Sequence, residues 1–150
     1  ALKARIAEEM KAALLGRHSF RGDVLRNLKA AILNEEVALG KRDEGLSDTE
    51  VEKVVAREVK KRKESAELYR ANGRAELAEP EEKEAAILQE FLPKQLSEDE
   101  IRAMVEAAVA DLGATMQQMG QVIGAVKAKA GNAADGALIA KITKETLVKQ

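Results

Sequence analysis

Apolar residues recur at spacings of three and four along almost the whole chain, and most runs halt at a glycine, an Asn-Gly pair or a proline. That spacing places them on one face of an α-helix, so the chain reads as a string of amphipathic helices. Two helix starts carry a written signature. Ser47 with Glu50, and again Ser97 with Glu100, have the spacing of a capping box, in which each side chain bonds the other's backbone amide. Two prolines and three aromatic residues (Phe20, Tyr69, Phe91) leave little material for strands. The predicted class is all-α: an N-terminal bundle of about four helices, two of them long, then a small three-helix subdomain.

The helices are expected as follows. The first spans about residues 2–15, with Leu2, Ile6, Met10 and Ala13/Leu14 inward and Gly16 as its stop. The second spans about 19–39 on Val24, Leu25, Leu28, Ile32 and Leu39, and Gly40 ends it; Gly22 stands near its start, where glycine does least harm. The third opens at Ser47 and leaves through Asn72-Gly73. A short turn over 74–78 then leads to a fourth helix with Pro80 in its first turn, carrying Ile87, Leu88 and Phe91 and ended by Pro93. The stretch 93–96 is the expected boundary, giving units 1–92 and 93–150. Beyond it, helices are expected on Ile101, Val105, Ala108, Val109 and Leu112 up to Gly113, on Met119, Val122, Ile123 and Val126 up to Gly131, and on Leu138, Ile139 and Ile142 with Asp135 as cap.

Charge is balanced overall, at a net of -1, and uneven locally. Residues 57–63 carry five basic groups against Glu58, residues 76–90 carry six glutamates against Lys83, and residues 113–150 carry five lysines against Asp135 and Glu145. Local basic patches can hold phosphates on a protein that is neutral as a whole. There is no cysteine, which excludes disulfides, thiolate nucleophiles and thiolate metal sites. No apolar run approaches a membrane span, and the N-terminal segment lacks the apolar core of a secretory signal, so a cytoplasmic protein off the membrane is expected.

Little in the chain could react. His18 is the sole histidine and falls in the turn after Gly16, where exposure is expected. No triad, HExxH, phosphate loop or GxGxxG turn is present, so no catalytic residue, metal or cofactor is expected. The glutamates of 76–90 read as a solvated face.

Two features remain. On the third helix the inward stripe of Val51, Val54 and Val55 continues as Glu58, Arg62, Ser65 and Tyr69. It is either a recognition surface with Arg62 as donor, or a structural network bonded to Asn27, Asn34 or Glu35 on the second helix. Lys60, Lys61 and Lys63 point to other sides of that helix, as solubilising charges or as phosphate contacts. The second feature is Met116 to Lys129, where Gly120 and Gly124 are four apart. Their bare backbone allows either tight packing among the last helices or close approach by a ligand. With Lys127, Lys129, Lys141 and Lys144 as a positive fringe, it suits RNA phosphate and ribose contacts. So few aromatics make base stacking a poor fit, and RNA would be read by shape.

The polar stripe with Tyr69, Asn72-Gly73-Arg74, Pro93-Lys94-Gln95-Leu96, Met119-Gly120-Gln121-Val122-Ile123-Gly124 and Asp135-Gly136, in this order, resembles the YqeY family over about residues 10–147. That family is the stand-alone relative of the C-terminal tail of the GatB subunit of tRNA-dependent amidotransferase. The resemblance implies a helical bundle joined at Pro93-Lys94-Gln95-Leu96 to a small helical subdomain. It also implies a link to tRNA and to carbon–nitrogen ligase activity with glutamine as amide donor. In the amidotransferase the tail helps to hold tRNA near its elbow, while glutaminase and kinase-like chemistry lie elsewhere. The expectation is therefore a tRNA-binding or amidotransferase-accessory protein of translation. The alternative is an interaction module in which helices one to three offer a groove to a partner enzyme of the tRNA-charging machinery. No DNA partner is expected.

Overall fold

Seven α-helices and two 3-10 turns carry the chain in a computed structural model, which describes residues 1–150 and contains no strand. They are α1 (Leu2–Leu15), α2 (Ser19–Ala38), α3 (Asp48–Ala71), α4 (Ala75–Gln89), α5 (Glu98–Leu112), α6 (Met119–Ala130) and α7 (Gly136–Val148). The chain divides into one unit over Ala1–Leu92 and another over Pro93–Gln150.

In the first unit both halves of the Ser47–Glu50 capping box form, at 3.2 and 3.0 Å. The core gathers Ile6, Val24, Leu25, Leu28, Ile32, Val51, Val54, Val55, Leu88 and Phe91, all nearly free of solvent. Burying each such side chain contributes roughly 1.5–3 kcal/mol, which outweighs the weak intrinsic preference of an isolated helix. The Arg5 guanidinium lies 4.8 Å over the Phe91 ring.

This core occupies only part of the long helices. Beyond Val59 the one buried residue of α3 is Ala66, and ahead of Ala85 the one buried residue of α4 is Ala78. Neither belongs to the four-helix core. Residues 62–71 and 75–84 therefore form a two-helix arm packed on itself, with alanine letting the backbones approach.

Several local expectations change. α1 ends at Gly16, but Gly16 has φ -82, and the left-handed residue is Arg17 at φ 62. The His18 N–H reaches back to the Ala13 carbonyl at 2.9 Å, so the reversal falls one residue later than the glycine. Gly22 is buried, and a Cβ there would stand 2.5 Å from Leu14 Cδ2; the glycine lets α1 and α2 pack closely. Leu39 and Leu112 are exposed, each lying at the end of its helix after the packed stripe has stopped. α4 begins at Ala75, so Pro80 sits inside it. Fully buried Ala78 draws the preceding turn into the helix, and the carbonyl that Pro80 leaves without a donor belongs to exposed Glu76.

The second unit opens on the Ser97–Glu100 capping box, at 3.1 and 3.0 Å, and α5 closes on Gly113 at φ 58. Ile101, Val105, Val109, Val122, Val126, Ile139, Ile142 and Leu147 form its core. The Gln95 side-chain amide donates to the carbonyls of Pro93 and Asn132, and the Leu96 N–H to that of Ala133, tying the first residues of this unit to the α6–α7 connection. Asp135 occupies the N-cap position of α7 with no side-chain bond to the helix amides.

Candidate functional site

One face of α6 is bare. Val122 and Val126 turn into the core, and on the other side Gly120 and Gly124 are exposed. Nothing lies within 4 Å of the position a Cβ would take at either glycine. Close packing within the protein thus does not account for them. They leave a strip of uncovered helix backbone wide enough for a ligand to touch.

Lys127, three residues after Gly124, shares this face of α6, whereas Lys129, nine residues after Gly120, points to the other side. Lys127 and Lys129 stand in the last turn of α6, where positive charge also complements the helix dipole. Lys127 bends over the first residue of α7: a Cβ at Gly136 would stand 2.9 Å from its Cε and 3.1 Å from its Nζ. Lys141 and Lys144 are exposed on α7, whose inner side is taken by Ile139, Ile142, Thr143 and Leu147. The acidic residues Glu98, Asp99 and Glu100 are gathered instead in the first turn of α5.

The polar stripe on α3 is a clamp to α4, not to α2. Arg62 donates to the Glu58 carbonyl and carboxylate, each at 3.0 Å, and its Nε lies 3.8 Å from Glu84. That Nε is buried without a hydrogen bond. Burial pushes the Glu84 carboxyl above its ordinary range, against the opposing pull of Arg62. Ser65 is half-buried and Tyr69 exposed. Glu35 of α2 pairs instead with Arg57, which lies outside the stripe. Lys60, Lys61 and Lys63 are exposed, and Lys61 pairs with Glu58 at 3.2 Å.

One buried polar residue lies outside the sequence expectations. Glu36 is 1% exposed. Its Oε2 accepts from Lys3 Nζ at 2.7 Å and from the Leu46 N–H at 3.1 Å. The spacing Leu28, Ile32, Glu36 already places it on the inward stripe of α2, and that is the signal the sequence offers. His18 is exposed, and no group of three or more His, Asp or Glu residues is arranged to hold a metal ion. No helix is long and apolar enough to cross a membrane.

These features define an all-helical protein of two units, in the second of which α6 exposes the bare backbone of Gly120 and Gly124 with Lys127 on the same face. The chain belongs to the family described as Yqey-like protein, whose family model matches residues 3–147. Two curated relatives, from Eremothecium gossypii and Lachancea thermotolerans, are both named "Altered inheritance of mitochondria protein 41, mitochondrial". The first is 26% identical over 114 residues, covering 75% of this chain and 61% of the relative. The second is 28% identical over 111 residues, covering 73% and 58%. The chain thus spans about three fifths of the length of these relatives. Their names overturn the cytoplasmic expectation. It rested on the lack of an apolar leader, and that feature does not separate cytoplasm from mitochondrion, because mitochondrial targeting segments are amphipathic and not apolar.

Proposed function

We propose that this chain holds tRNA against the α6–α7 face as an accessory to tRNA-dependent amide transfer, without performing the reaction itself. The observation that carries the reading is the open strip at Gly120 and Gly124, which the protein's own packing does not use. A sugar–phosphate backbone can approach such a strip as closely as the helix itself allows, and the lysines supply the neutralising charge. The segment 113–150 has five lysines against two carboxylates, which supports an anionic partner. The resemblance to an amidotransferase tail supplies the class of RNA. Most of the inward stripes of helices one to three, which the alternative reading would offer as a groove, are buried in the first unit's core, while Phe20, Leu33, Val37 and Leu68 remain exposed.

The test is titration of unfractionated tRNA at several salt concentrations. Lys127→Glu with Lys129→Glu should weaken binding and lower the slope of log K against log salt by roughly 0.7–1 for each phosphate no longer neutralised. Gly120→Leu with Gly124→Leu should keep or raise stability, since leucine is the better helix former and both positions are open, yet weaken tRNA binding. Wild-type affinity no greater than that of a generic anion binder at physiological salt would end this reading.

A further inference from the structure

The arm presents a face that the rest of the first unit leaves uncovered. Arg62 meets Glu84, and the two helices run antiparallel, joined by the turn at Asn72-Gly73. Stepping outward by three and four along both helices brings Ser65 level with Glu81, then Tyr69 level with Leu77. Tyr69 and Leu77 remain 36% and 37% exposed towards the outer end of the face. Closer in, the Arg62 guanidinium stands between Glu58 and Glu84. Arg62 and Lys61 both bond Glu58, and neither forms a hydrogen bond with Glu84. Glu81 stands three residues before Glu84 on the same side of α4, and its negative charge adds to the burial that raises Glu84 against the pull of Arg62. The face is therefore short of positive charge and leaves apolar surface exposed.

We propose that this face of the arm docks an amphipathic helix of another protein, one whose lysine or arginine meets Glu81 and Glu84 and whose aliphatic side chain covers Tyr69 and Leu77. Two antiparallel helices leave a groove between them that a third helix fills in the manner of a bundle. In the inner part of the unit α1 and α2 cover the pair, but the shared core stops at Val59 and Ala85. An incoming helix would extend that covering layer outward. The carboxylates select a basic partner and repel nucleic acid, so this surface is separate in chemistry from the α6–α7 face.

The chain offers a built-in reporter, because Tyr69 is its only tyrosine and it has no tryptophan. The probes are a synthetic leucine–lysine amphipathic helix and a matched leucine–glutamate helix, titrated against the full chain while tyrosine emission is followed. The leucine–lysine peptide should change the emission saturably and bind less tightly as salt rises, and the leucine–glutamate peptide should leave it unchanged. Glu81→Lys with Glu84→Gln should weaken binding about tenfold, the scale of two partly screened ion pairs. Leu77→Asp, at an exposed position, should do the same and keeps the test readable if the charge variant loosens the arm. Glu8→Lys with Glu106→Lys, on α1 and α5 and so outside the arm, should leave the affinity unchanged. Equal weakening by that control pair, or no response to the leucine–lysine peptide, overturns the proposal. So would sedimentation of the free chain as a dimer that Leu77→Asp dissociates, since the occupant would then be a second copy.

Discussion

Replacing Lys3 with methionine should expose how much the first unit depends on one buried carboxylate. Glu36 joins three segments: its own helix α2, α1 through Lys3, and the loop before α3 through the Leu46 N–H. The Lys3 hydrogen bond holds Glu36 below the usual carboxylate range, with burial opposing it and the Leu46 N–H assisting. Removing one partner of a fully buried pair costs about 3–5 kcal/mol. Here the Lys3 side chain is 45% exposed, so water replaces part of what the ammonium supplied. The expected loss is about 1–2 kcal/mol at neutral pH. In the wild type the folded pKa lies below the unfolded one, so this stabilisation is present above the unfolded value of about 4.3 and disappears as pH falls through the folded value. Without Lys3, burial dominates and the folded pKa moves above the unfolded one. The carboxylate then destabilises the fold at neutral pH, and protonation relieves it. The gap between wild type and Lys3→Met should therefore shrink between pH 7 and about pH 4. Urea unfolding followed by circular dichroism at both pH values measures it, with the denaturant slope unchanged. Adding Glu36→Gln to Lys3→Met should recover part of the loss, because the amide keeps an acceptor for Leu46 without a charge. A gap equal at both pH values, or no recovery by the amide, would refute this account of Glu36.

Three further outcomes follow from the turns and caps. Arg17→Gly should raise stability by up to about 1 kcal/mol, because Arg17 holds a left-handed backbone at φ 62 that glycine adopts without a side-chain clash; the shift in thermal midpoint measures it. Gly131→Ala should lower stability by about 1–3 kcal/mol, since φ 55 with ψ -132 is a region that side chains avoid, and chemical denaturation reads the change. Hydrogen bonding by Lys41 and by Ser47 holds Glu50 at a pKa of about 2. Its stabilising contribution is complete above the unfolded carboxylate range and is lost as pH falls from there towards 2, so Glu50→Gln should flatten the acid side of a melting-temperature profile.

The start of α3 at Ser47 and its exit at Asn72-Gly73, like the start of α5 at Ser97, are legible in the sequence because each rests on groups within a few residues of one another. The inward stripes of α2 and α5 are legible in their middles and misleading at Leu39 and Leu112, where periodicity continues past the last packed turn. Gly120, Gly124 and the lysines stand out in the sequence, which leaves two meanings open. Bare backbone serves packing and ligand approach alike, and the open space around both glycines depends on which helices lie opposite, which spacing along the chain does not state.

By itself the order of residues determined an all-α chain, the caps that begin α3 and α5, and most of the side chains that reach the two cores. Those properties come from hydrogen bonds and spacings a few positions long. The tertiary structure alone decided that Glu36 is buried and held by Lys3, that Gly22 admits Leu14, that Arg62 turns to α4, and that the arm continues beyond the shared core. Each of these depends on which helix lies opposite, and a helical period states the direction of a side chain without stating what it will meet.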